Sequence, residues 1–156
     1  MSTSDPSGLV TDVAGLSDHV GEHLGYTPWR EMEQSRVNQF ADATDDHQFI
    51  HVDVEAAKAT PFGGTIAHGY LTLALVAPIL AELMQVTDAK MGVNYGLDKV
   101  RFPAPLLVGS EWRGGGELVS VDEIPGGKQA KLRVTIEVKG AEKPSMVAEA
   151  LVRVYG

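Results

Sequence analysis

The chain has 156 residues, no cysteine and a formal net charge of −8. That length suits one ordinary domain able to build its own core. The missing cysteines exclude disulfides, thiol catalysis and thiolate metal sites, and are compatible with a reducing cytoplasm. The acidic balance argues against nucleic acid as a partner, because no basic excess exists to neutralise phosphates.

Residues 1–15 are rich in Ser, Asp, Gly and Thr, with neither the basic nor the apolar stretch of a signal peptide. They predict a flexible leader before a single domain over 16–156. His19 and His23 read as solvent-exposed. In 30–44, Val37, Phe40, Ala41 and Thr44 fall at i, i+3, i+4 and i+7, which predicts a helix with one apolar stripe. No clean cap marks its start. Asp53 is placed to cap a short helix over 55–58. The run Thr60-Pro61-Phe62-Gly63-Gly64 predicts a loop.

From 70 to 84 the chain is apolar on almost every side, so the predicted helix must be surrounded by protein. Pro78 should kink it. His68, Pro78 and Glu82 interrupt the wider apolar stretch, which therefore reads as a core helix and not a membrane span.

The period then changes. Leu132, Val134, Ile136 and Val138 alternate with polar residues, the mark of a strand with one wet face. Further strands are predicted over 98–102, 110–121 and 147–155, the second of these bulged at Gly114-Gly115-Gly116. Pro125-Gly126-Gly127 and Gly140 mark turns. One apolar helix followed by antiparallel strands gives an α+β domain, its sheet wrapped around that helix.

Two clusters carry candidate chemistry. In Asp45-Asp46-His47-Gln48-Phe49-Ile50-His51, Asp46 and His51 stand five apart across a helix end and a turn. A carboxylate and an imidazole sharing a water there form an acid–base pair near neutral pH. The alternative is that Asp46 caps a turn and His51 is a partly buried histidine bonded to backbone. The second cluster is Ala67-His68-Gly69. Glycine at a helix start lets a substrate oxygen approach free N–H groups, or serves the turn alone. His68 reads as a residue that fixes the loop through hydrogen bonds, the alternative being a third catalytic group. His47 and His51 are four apart, but without helical context and without the glutamate of the zinc-protease motif no metal site is expected. The Gly114-Gly115-Gly116 run lacks the Lys-Ser or Lys-Thr of a phosphate loop.

Together these motifs resemble the MaoC-like (R)-specific enoyl-CoA hydratases, whose pattern is close to G-D-x-N-P-x-H followed by an H-G that opens the central helix. The stretch from Asn94 to Pro105 also resembles the strand following that helix, and the likeness runs from about Gly21 to Tyr155. It implies the hot-dog fold, usually dimeric, hence a homodimer, with Asp46 and His51 catalytic and the Gly69 N–H holding the thioester carbonyl. It implies hydration of trans-2-enoyl-CoA to (R)-3-hydroxyacyl-CoA in cytoplasmic fatty acid metabolism, with no cofactor, nucleic acid or membrane. His68, Lys99 and Arg101 are weaker substrate-binding candidates, and Lys90 and Arg113 offer further positive charge for a coenzyme A phosphate. The chain departs from the pattern where the family's glycine is Asp45 and its Asn-Pro is Gln48-Phe49. A helix serine of some relatives falls near Ala77. A thioesterase or a non-catalytic acyl-thioester-binding protein are the competing readings on this scaffold.

Overall fold

The structure is a computed structural model that describes residues 8–156. Its main sheet is antiparallel, with strands β2 (His23–Tyr26), β5 (Met91–Arg101), β6 (Glu111–Ile124), β7 (Gly127–Val138) and β8 (Met146–Tyr155) in the order β2-β6-β7-β8-β5; β3 (Arg30–Glu31) also pairs with β6. Two short strands, β1 (Leu9–Thr11) and β4 (Met84–Val86), pair in parallel. The helices are α1 (Gln34–Thr44), α2 (Phe49–Val52), α3 (Val54–Ala57), α4 (Gly69–Ala74) and α5 (Val76–Leu83).

The long strands follow from their alternation. In β7, Ala130, Leu132, Val134 and Ile136 are fully buried, while the residues between them are half-exposed. In β8, Met146, Ala148, Ala150 and Val154 continue the same inner face. Helices α4 and α5 are one run interrupted at Leu75. Pro78, three residues on, lacks the N–H that the Ala74 carbonyl would normally accept, so the interruption falls where the expected kink does.

Val76, Ile79, Leu80 and Leu83 of α5 are buried against the sheet. Each such side chain contributes about 1.5–3 kcal/mol when fully buried. The glycine run in β6 makes this approach possible. A Cβ on Gly114 would overlap the Ile79 side chain, and one on Gly116 would stand 3.4 Å from Leu83 Cδ1. On the other face, a Cβ on Gly115 would stand 2.7 Å from the Tyr26 ring.

Several expectations are corrected. The glycine run holds regular register with β7, and the irregularity lies between Leu118 and Ser120. The first helix starts at Gln34, not at residue 30, because Arg30 and Glu31 are taken into the sheet opposite Trp112 and Glu111. Thr44 of its expected stripe is exposed, its hydroxyl donating to the Phe40 carbonyl at 2.7 Å. The strand expected over 98–102 begins at Met91. Of the expected leader, residues 1–7 lie outside the described residues, whereas Leu9–Thr11 is a strand and Ala14–His19 a 3-10 helix with Leu16 buried. Lys128 clamps that helix, donating to the Ala14 carbonyl at 3.0 Å and to Ser17 Oγ at 2.9 Å.

The central helix is also less enclosed than its composition implies. Tyr70 is 75% exposed, and Ala74, Ala77, Pro78 and Ala81 are exposed with it. Next to this strip runs β5, an edge strand on which Met91, Val93, Tyr95 and Leu97 are exposed. Between strip and strand lies a cavity of about 300 Å³, lined by Leu73, Ala77, Asn94, Leu97 and Leu151 among others. No helix among the described residues is long and apolar enough to cross a membrane.

Candidate active site

The site forms where α1 ends. Asp45 closes that helix in the left-handed conformation, at φ 60° and ψ 22°, and is the one non-glycine residue with positive φ among the described residues. This sharp reversal is a helix terminus that glycine ordinarily supplies, and aspartate tolerates it better than most side chains. Asp46 follows, accessible to solvent, its Oδ1 accepting the Gln48 N–H at 3.4 Å. Gln48 then adopts φ −55° and ψ 137°, and Phe49 opens α2.

That single helical turn carries His51 inward, where it is 6% exposed. Its Nδ1–H donates to the Ile66 carbonyl at 2.7 Å. A carbonyl can only accept, so the proton sits on Nδ1 and Nε2 keeps a free lone pair. The backbone around the ring is doubly tied. Gln34 Nε2 donates to the His51 carbonyl at 2.7 Å while its Oε1 accepts the Thr65 hydroxyl at 2.6 Å. The Ile66 N–H donates to the Ile50 carbonyl at 3.0 Å.

Burial pushes the His51 pKa below its ordinary value, and the neighbouring His68 adds to that; the Ile66 hydrogen bond and the Asp46 charge oppose it without reversing it. His47 behaves differently. It lies on the surface, bonded to Asp42 Oδ1 at 2.9 Å, and that bond raises its pKa.

His68 stands immediately before α4 and is 1% exposed. Its Nε2–H donates to the backbone carbonyl of Asp46 at 3.0 Å. Its ring stacks on His51 with centroids 3.9 Å apart and planes inclined by 24°, and Phe40 of α1 packs 4.9 Å away. A carboxylate oxygen of Asp46 and one ring nitrogen from each of His51 and His68 thus lie within 4.8 Å of one another. The same three side chains are the candidate ligands for a cation.

Gly69 is the first residue of α4, so its N–H has no acceptor inside the helix. It lines a groove of about 280 Å³ together with Phe62, Ile66, Thr72, Phe102 and Leu106. Lys99 and Arg101 are exposed on β5, three residues and one residue before Phe102, and neither has an ion-pair partner among the described residues. Arg113 is not available to a ligand in the same way. It is bonded to Glu137 and lies over the rings of Tyr26 and Trp29. His19 pairs with Glu22, and His23 packs on Tyr26, both away from this cluster.

Sequence reasoning missed Gln34, Phe40 and Phe102. A glutamine at the first position of a helix looks like any solvated residue. Only the fold brings it to the backbone of residues 51 and 65. Phe49, at the head of α2, is 47% exposed.

A family model described as a MaoC like domain matches residues 16–141. The chain belongs to the MaoC-like family. The 3-hydroxyacyl-thioester dehydratase Z of Mycobacterium tuberculosis is 50% identical to it over 142 residues, covering 90% of this chain and 94% of that protein. The nodulation protein N of Rhizobium meliloti is 42% identical over 151 residues, covering 89% of this chain and 86% of that one. Among solved structures, an (R)-hydratase from A. caviae involved in PHA biosynthesis superposes with a TM-score of 0.71 at 26% identity, covering 85% of this chain and 94% of that one. The MaoC-like chain is a hot-dog protein of the α+β class and an enzyme of the hydro-lyase type. The left-handed backbone of Asp45 is a conformation that glycine adopts most easily. Phe49 is the first residue of α2, a position where a proline's missing N–H would cost nothing.

Proposed function

We propose that this chain is an (R)-specific enoyl-CoA hydratase that adds water to trans-2-enoyl-CoA and, in reverse, dehydrates (R)-3-hydroxyacyl-CoA. The single observation that carries this reading is the convergence of Asp46 and His51 within 4.8 Å, with His51 buried and its Nδ1 already committed to a carbonyl. A water held between the Asp46 carboxylate and His51 Nε2 would attack C3. Its proton passes to the pair, and a proton from the pair goes to C2, so that one water is added and both side chains return to their starting state. A coupled pair titrates as a unit, so the two steps belong to the dyad. The Gly69 N–H would donate to the thioester oxygen as it gains negative charge.

Four features extend the reading. Lys99 and Arg101, exposed and without an ion-pair partner among the described residues, suit the phosphates of coenzyme A, with His68 supporting the pair behind the thioester. The apolar cavity beginning at Leu73, one turn beyond Gly69, suits the acyl chain. The net charge of −8 disfavours an acidic carrier protein as donor. The exposed apolar edge of β5 and the uncovered helix strip suit a second copy of the chain, because an open hydrophobic edge strand invites pairing. A homodimer working in a reducing cytoplasm is the assembly proposed.

The test is incubation with crotonyl-CoA, following loss of the conjugated double bond by absorbance and resolving the product's enantiomers. Formation of (R)-3-hydroxybutyryl-CoA is expected. Release of free thiol with the double bond intact would replace the reading with a thioesterase. No turnover of enoyl thioesters of any chain length, with binding retained, would replace it with a non-catalytic acyl-thioester-binding protein.

A further inference from the structure

We propose that His68 is a positioning residue for this reaction, holding the Asp46 backbone through Nε2–H and bracing the His51 ring by stacking on it. The proposal rests on the reading of Asp46 and His51 as the acid–base pair. His68 is 1% exposed, and its Nδ1 is buried with no hydrogen-bond partner. The ring therefore makes one polar contact, the 3.0 Å bond to the Asp46 carbonyl. A histidine serving only to close the loop has no need of the other two contacts, the stack on His51 and the packing against Phe40.

The bond and the stack each act on one member of the pair. The bond from Nε2–H fixes the peptide of Asp46 directly after the left-handed Asp45. Without it, the Asp46 carboxylate is held locally only by the long 3.4 Å contact to the Gln48 N–H. The stack covers one face of His51 and keeps water from it. The His68 ring beside it adds to the burial that lowers the His51 pKa, which favours the neutral, accepting form. The titratable and charged groups facing His51 are Asp46 from the turn after α1 and His68 from the head of α4. Helix α1 offers the neutral Gln34, and the preceding loop the Thr65 hydroxyl and Ile66 carbonyl.

Two substitutions separate the two contacts. His68→Phe keeps a flat ring on His51 and removes the donor to Asp46. His68→Gln keeps an N–H for the Asp46 carbonyl and removes the stack. For His68→Phe, kcat for crotonyl-CoA hydration should fall about 10- to 100-fold with KM little changed, as expected when a reacting group is displaced. For His68→Gln, kcat should recover part of that loss. Because the stack and part of the burial are gone, the acid limb of kcat/KM and the His51 imidazole titration followed by NMR should both move to higher pH. The NMR titration needs no turnover, so it decides the matter even if His68→Phe fails to fold. Wild-type kcat in His68→Phe, together with an unmoved His51 titration in His68→Gln, would overturn the proposal. His51→Gln is the control that keeps the two readings apart. If it is inactive while both His68 variants behave as wild type, only the role of His68 falls. If it is fully active, the dyad itself falls.

Discussion

The Phe102 ring covers the Cα of Gly69 so closely that a Cβ there would stand 3.3 Å from Cε2 and 3.4 Å from Cζ. Gly69 thus serves two ends, presenting a free N–H and leaving room for an aromatic wall of the groove. Gly69→Ala should push Phe102 outward and narrow the groove that Gly69 lines. We expect kcat/KM for crotonyl-CoA to fall about 10-fold or more, as when a reacting group loses its alignment, with the melting temperature lowered by only a few degrees. Unchanged kcat/KM would show that the thioester does not pass Gly69.

Asp45 carries a left-handed backbone that costs an L-residue about 1–2 kcal/mol. Asp45→Gly should relieve that strain, partly offset by glycine's greater freedom in the unfolded chain, for a net gain of roughly 0.5–1 kcal/mol. Denaturant unfolding checks the gain. Asp45→Val should lose stability, since a β-branched residue fits this region worst. The Asp45 carboxylate has no part in the proposed chemistry, so Asp45→Asn should retain hydratase activity.

The pH dependence follows from His51. Burial lowers its pKa from the ordinary imidazole value, which is about 6.5. The accepting form therefore persists to lower pH than in an ordinary histidine, and the acid limb of kcat/KM should lie below about 6.5. The sign for stability follows from the same shift. The unfolded chain takes up this proton first as pH falls, so His51 contributes stability above its unfolded pKa that is lost as pH drops through the folded one. An acid limb at or above the ordinary value would contradict this account of the site.

Edge strand β5 and the bare strip of the central helix predict self-association. Light scattering at micromolar concentration should give a dimer. Tyr95, 55% exposed on that edge, is a suitable probe, and Tyr95→Glu should shift the population toward monomer with reduced activity. A wild-type monomer with full activity would exclude the proposed assembly.

The alternating apolar residues of β7 and β8 and the apolar run after Gly69 made the sheet and its helix legible, because burial on one face imposes a period that the sequence must keep. The glycine run of β6 was misread as a bulge. Glycine reports only that no Cβ fits, and Ile79 and Tyr26, distant in sequence, are what exclude it. The start of α1 was placed too early because nothing local reveals that Arg30 and Glu31 pair with β6. At the site, Asp46, His51 and Gly69 stood out by type and spacing. Gln34 and Phe102 did not, since their roles arise from contacts across 17 and 33 residues that carry no periodic signal. The exposed strip on the helix was hidden for a related reason: composition shows that a surface is apolar, not which chain covers it.

The central claim is that Asp46 and His51 act together on one water. Its most direct test is crotonyl-CoA hydration by Asp46→Asn, His51→Gln and the double variant, each shown to be folded by its thermal transition. Positioned acid–base groups contribute about 100- to 10,000-fold, so each single variant should lose kcat on that scale. The double variant should be little worse than either, because groups acting as a unit are not additive. Loss of less than about tenfold in both single variants, with folding intact, would contradict the claim. Asp46 would then be a turn-capping residue and His51 a structural histidine bonded to Ile66.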